Sequence, residues 1–232
     1  MAPAAQASLK LHRDGMHGFS RTNILGRYRR YSDLRRDIQT NALENIPKST
    51  FLDHARRIGL SDGKVFFTDN DVELTLVFDL AVYTSKAGRT RAIDRYARKR
   101  IKVSKPDEAL VLQSLQAAWF SIFRVIGKCE PAGVLLEDLM RGGAISLLDE
   151  GLEQSAEPGD VFAMRVAPIE EFAITCGAVV PIRVETFEEM IDFFTDIAAD
   201  AELVALADDW RFAASLYELA VELGLMRFMA YR

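Results

Sequence analysis

The sequence predicts an α+β protein: an N-terminal helical region, a small five-stranded antiparallel barrel or curled sheet, and two C-terminal helices. Three observations lead there. Apolar residues recur at helical spacing through most of residues 20–118. From Trp119 to Ile182 the apolar runs shorten and are bounded by Gly, Pro and acidic turns. Beyond Thr186 the helical spacing returns. On this reading residues 1–19 are a flexible Ala/Pro/Gly-rich arm, 20–118 a basic helical region, 119–183 the barrel, and 184–232 two helices packed on the remainder as one unit.

The first helix starts near Arg21 to Asn23. Ile24, Tyr28, Tyr31, Leu34, Ile38 and Ala42 form its apolar stripe, and arginines fill its other faces. It ends before Pro47, because the residue preceding a proline is pushed out of the helical region. Ser49 or Thr50 can cap a short helix through Ile58, with Gly59 as its stop. Lys64 to Phe67 reads as a short extended piece. Asp69 or Asn70 then caps a largely apolar helix from Asp71 to Tyr83, broken by Gly88. A second basic element runs from Arg89 to Lys105. Pro106 ends it and opens a helix from Asp107 to about Ala118, with early acids that suit the helix dipole.

Five strands are expected near Trp119–Lys128, Val134–Asp138, Ala144–Asp149, Val161–Pro168 and Phe172–Pro181. The breaks Glu130-Pro-Ala-Gly133, Arg141-Gly-Gly143 and Glu157-Pro-Gly-Asp160 carry turn chemistry. Thr186 with Glu189 makes a capping box for a helix to about Ala199. A last helix spans about Asp208 to Met229. It has one apolar stripe through Trp210, Ala213 and Tyr217 and another through Phe212, Leu216 and Leu219. A helix apolar on two faces is buried, in its own domain or in a partner, so this one motivates a homodimer.

Charge is divided unequally along the chain. Residues 1–105 carry 21 of the 29 Lys and Arg but 11 of the 34 Asp and Glu, a balance of +10. Residues 106–232 carry the other 8 bases and 23 acids, a balance of −15. The basic side chains concentrate in two blocks, Arg27–Arg36 and Arg89–Lys105. Such a split means either that one half binds an anion or that the halves bind each other.

Candidate chemistry is sparse. No Gly-rich phosphate loop is present. His12, His17 and His54 are scattered, without the spacing of metal ligands. Cys129 and Cys176 fall in apolar strands and read as buried thiols of a reducing cytoplasm. No apolar run reaches the roughly 18–20 residues of a membrane helix, and the N-terminus lacks a secretory pattern. His12-Arg13-Asp14 spells a kinase triplet, but Phe19 stands where that loop needs Asn. Asp53 with Asp62-Gly63-Lys64 has the letters of a nuclease core at too short a spacing.

One resemblance adds to this reading. Val77-Phe-Asp-Leu-Ala-Val-Tyr83, Arg95-Tyr96 and Ser121-Ile-Phe-Arg-Val125 follow one another in an order found in certain uncharacterised bacterial proteins. So do Leu136-Glu-Asp-Leu139, Leu148-Asp149, Pro158-Gly-Asp160, Ala163-Met-Arg-Val166 and Gly177. About residues 71–182 thus resemble the SEC-C motif group, which is partly defined by a C-terminal zinc-binding motif. This chain lacks that cysteine-rich motif. The resemblance therefore implies a fold and carries over no metal.

Three functional readings stand at this point. The first is a non-catalytic interaction or regulatory protein of the cytoplasm, without cofactor or metal, that forms a homodimer through its last helix or takes an acidic protein partner. The second is a nucleic-acid-binding protein using Arg27, Arg29, Arg30, Arg35, Arg36, Arg98, Lys99, Arg100 and Lys102, with nearby tyrosines available for stacking. The third is an unrecognised metal-dependent hydrolase or nuclease.

Overall fold

A computed structural model describes residues 20–68, 70–85, 88–100, 102, 104–182 and 200–228. Five helices come first: α1 (Arg21–Glu44), α2 (Lys48–Arg57), α3 (Asp71–Tyr83), α4 (Ala92–Arg100) and α5 (Pro106–Gln116). Ser20 caps α1 by accepting from the Asn23 amide, and Asn70 caps α3 by accepting from Val72. The helix α2 begins at Lys48, directly after Pro47, and has no side-chain cap. Ser49 and Thr50 therefore lie inside the helix they were expected to cap. Proline's fixed φ, here −59°, starts the helix instead.

The strands are β1 (Trp119–Lys128), β2 (Val134–Asp138), β3 (Ala144–Leu148), β4 (Val161–Ile169) and β5 (Phe172–Ile182). They close into a barrel in the order β1-β2-β3-β5-β4, with β4 back on β1. The sheet is mixed, not purely antiparallel: β3 and β5 run parallel through Leu147–Ala173 and Leu148–Ile174. The cause is a short helix that the apolar pattern did not reveal, α6 (Glu150–Ser155), capped by Asp149. It carries the chain across one end of the barrel, so β4 pairs with β1. The β4–β5 hairpin then returns β5 alongside β3. A closed five-stranded barrel with this connectivity has the topology of the OB-fold.

Two helices follow, α7 (Asp200–Asp208) and α8 (Trp210–Glu222), then a 3-10 turn, Leu225–Phe228. The expected helix to Met229 is shorter, because Gly224 adopts φ +63° and ends it. The arm at 1–19 and the capping-box helix from Thr186 lie outside the described residues.

Side chains pack in three clusters. Phe123, Val125, Leu136, Met164 and Val166 fill the barrel, with Leu152 of α6 closing one end. Outside β1, β4 and β5, the residues Phe120, Ile122 and Ala163 meet α2, α3, α7 and α8. Around the other side, Ile169, Phe172 and Ile174 meet α1, α3, α4 and α5. Helices thus cover the outside of β4 and β5. Those strands are buried almost throughout and read as continuous apolar runs.

Candidate nucleic-acid interface and the charge contacts around it

The helix α1 lies across the barrel with Ile24, Tyr31, Ile38 and Ala42 buried. Its arginines meet acids far along the chain. Arg21 bridges Glu153 of α6 at 2.6 Å and also donates to the Pro131 carbonyl in the β1–β2 loop at 2.9 Å. Arg27 grips both acids of the β4–β5 turn, Glu170 and Glu171, and its Glu171 contact measures 2.5 Å. Tyr31 donates to the same Glu170 at 2.9 Å. Arg29 pairs with Glu150 at 2.7 Å, and Arg30 pairs with Asp107 of α5.

These contacts shift titrations in matched directions. Hydrogen bonding to Glu171 raises the Arg27 pKa, against the opposing cost of burial. Burial opposes the charge on Glu171, but Arg27 outweighs it and holds the carboxyl below its usual range. Arg29 lowers Glu150 likewise. In OB-folds generally, the β1–β2 and β4–β5 loops form the rim of the ligand-binding face. Here that rim is acidic and holds the chain's own helix.

The remaining basic candidates divide. Arg35 donates to Gln39 at 3.1 Å, one turn on, and Arg36 pairs with Asp33. Arg100 reaches Glu108 only at 3.4 Å. Arg98, Lys99 and Lys102 are exposed, as is Arg95, whose guanidinium donates to the Thr90 carbonyl. None of these four has an acid within 4.0 Å among the described residues. Arg95, Arg98 and Lys99 share the outer side of α4, because Ala92, Ile93 and Ala97 occupy the buried side, and Lys102 is exposed just past its end. The tyrosines are not presented for stacking: Tyr31 is buried, and Tyr28 and Tyr96 pack half-buried against the same core.

Sequence reasoning missed a deeply buried ion pair. Arg165 of β4 donates through Nε and Nη2 to the two oxygens of Asp79 in α3, at 2.9 and 3.0 Å. Tyr217 of α8 donates to the same carboxylate at 3.0 Å. The rings of Tyr83 and Phe120 flank the guanidinium, with centroids at 4.8 and 5.6 Å. Burial works against the Arg165 charge, yet Asp79 outweighs it and the pKa lies above its ordinary value. A Cβ at Gly177 would overlap the Asp79 carboxylate, so only glycine lets α3 approach β5 this closely. The signal was available: a lone charge inside an apolar run, in Phe78-Asp79-Leu80 and in Met164-Arg165-Val166, must find a partner when buried.

Other candidates carry little geometry. Asp53 lies 3.8 Å from Arg56, and Asp62 accepts from the Lys64 and Val65 amides. Among the described residues no three His, Cys, Asp or Glu side chains converge as a metal site. Both cysteines are buried, and burial pushes the Cys176 thiol up to about 12. Helix α8 buries Phe212, Ala213, Leu216, Tyr217 and Ala220 within the chain, whereas Trp210 and Leu219 are half-buried and Leu223, just past its end, is exposed. No helix of the described residues is long and apolar enough to cross a membrane.

The fold and these contacts define an α+β barrel protein whose basic helix is locked to an acidic rim. The chain belongs to a family of unknown function, DUF7986, whose model matches residues 23–225. This match shows a family of unknown function and no relationship to the SEC-C motif group. No curated protein and no solved structure matches the chain.

Proposed function

We propose that this protein is a non-catalytic interaction protein that docks on the phosphates of nucleic acid through the outer side of α4. One observation carries the reading. The arginines of α1 that face the barrel are neutralised by acids, whereas Arg95, Arg98, Lys99 and Lys102 stand together without acidic partners among the described residues. Unpaired, solvated cations on one helix face are what phosphate neutralisation requires. The tyrosines of both basic blocks are packed inward, which favours contact with the backbone over reading of bases.

The test is a titration of single-stranded oligonucleotide at low and rising salt. The variant Arg98→Ala/Lys99→Ala/Lys102→Ala should bind less tightly and lose about 2 from its log–log salt slope, since each phosphate contact on a single strand contributes about 0.7. Arg29→Ala, which breaks an internal pair, should bind as the parent does. Equal binding by the triple variant and the parent, or no binding by either at roughly 20 mM salt, removes the reading.

A further inference from the structure

A cleft of about 600 Å³ opens between the start of β1, the end of α3 and the junction of α7 with α8. Its volume lies within the range of pockets for small organic ligands, roughly 300–1,000 Å³. Two features set it apart from the other surface hollows. The first is Arg165, which reaches the cleft although its side chain is only 6% exposed. Its Nε and Nη2 are committed to Asp79, and no acceptor among the described residues takes Nη1. The guanidinium is therefore pinned from behind by Asp79, clasped by two rings, and left with one nitrogen without a partner among the described residues. A planar cation fixed in this way is already oriented for an oxyanion, and little side-chain entropy is lost on binding.

The second feature is the wall. Both tryptophans of the chain, Trp119 and Trp210, line this cleft, and both are half-buried. Trp119 is held in place by donating Nε1 to Asp138 at 3.0 Å. Trp210 is held by the Arg57 guanidinium, 4.2 Å from its ring centroid. Arg141, anchored to Asp208 at 2.6 Å, stands in the lining as a further cation. A buried oriented cation beside two immobilised indoles matches a ligand with one oxyanion and a flat apolar body.

We infer that this cleft is a binding site for a small organic oxyanion, a carboxylate or phosphate monoester carrying a planar ring, with Arg165 as its anion anchor. The site is separate from the outer side of α4 and needs no nucleic acid. Because the two tryptophans are the only ones in the chain, tryptophan fluorescence, excited selectively over tyrosine, reports on the cleft.

The experiment titrates the whole protein with phenyl phosphate, phenylacetate and the neutral benzamide. A saturable fluorescence change is expected for at least one anion, with Kd near or below roughly 1 mM, and a response at least about ten-fold weaker for benzamide. Which anion binds more tightly separates the phosphate source from the carboxylate source. Two variants complete the test. Asp79→Leu/Arg165→Met removes both members of the buried pair together, so it deletes the anchor without leaving an orphaned charge. Ser85→Phe narrows the cleft from its edge and leaves Arg165 in place. Both should lose the saturable change, and the α4 triple variant should keep it. Benzamide binding as tightly as the anions, no saturable change with either anion, or unchanged binding by Asp79→Leu/Arg165→Met would overturn the inference.

Discussion

Replacing Asp79 by alanine tests what holds the helical layer to the barrel. The carboxylate is fully buried and receives three hydrogen bonds: two from Arg165 and one from Tyr217. Its loss leaves a guanidinium 94% buried with no counter-charge, and a phenol with no acceptor. Removing one partner of a buried ion pair costs about 3–5 kcal/mol. For a chain of this length each kcal/mol moves Tm by about 2–4 °C, so a fall of about 6–20 °C is expected. Urea unfolding followed by circular dichroism measures the same loss at constant temperature. The comparison is Arg29→Ala, which breaks a pair 64% and 35% exposed and should cost at most about 1 kcal/mol. The decisive control is Asp79→Leu/Arg165→Met. If the harm in Asp79→Ala comes from an orphaned charge, the double variant recovers most of the stability. A loss below about 1 kcal/mol for Asp79→Ala, or a double variant as damaged as the single, refutes the reasoning.

Two further outcomes follow from the same contacts. Glu150 and Glu171 have pKa values depressed in the fold, so the stability they contribute is fully present above their ordinary value of 4.5. It is lost as pH falls below that value and through the depressed pKa. The protection of α1 amides from hydrogen exchange, measured relative to the intrinsic rate at each pH, should therefore fall on acidification before that of the barrel strands, and Arg27→Ala should flatten this dependence; simultaneous loosening of both would contradict it. Cys176 is buried and its thiol is pushed up to about 12, and Cys129 is buried too. Thiol reagent at neutral pH should label neither rapidly in the folded chain and both in denaturant. Rapid labelling of Cys176 in the folded state would sink that expectation.

Local rules were enough for several elements. Helix α3 runs from Asp71 to Tyr83 as its cap residue and apolar run imply, and all five strands lie within a few residues of their turn signals. The failures share a physical origin in contacts distant along the chain. Helix α6 buries only Leu152, too little to print a period on six residues. Without it, an antiparallel barrel or curled sheet was the natural expectation, and the parallel β3–β5 pair could not be foreseen. The split of charge was legible, but its pairing was not. Arg27 finds Glu171 across 144 positions and Arg21 finds Glu153 across 132. Nothing local to Arg27 distinguishes it from Arg98, which has no such acid opposite among the described residues.

That distinction explains what the charge split does. An apolar stripe on α1 supplies the attraction to the barrel, since Ile24, Tyr31 and Ile38 are buried and the outer ion pairs each contribute little. A stripe alone does not fix direction or rotation, because Ile24 and Ile38 can exchange places if the helix is reversed. Charges do fix them: only one orientation sets Arg21 over Glu153, Arg27 over the Glu170–Glu171 turn and Arg29 over Glu150. The acidic surplus on the barrel rim is thereby matched by α1. Helix α4 packs through Ala92, Ile93 and Ala97 beside α5 and never reaches that rim. Its Arg98, Lys99 and Lys102 keep their charge exposed to solvent. One compositional bias thus has two physical outcomes, a helix registered on its own barrel and a cationic face left outside it.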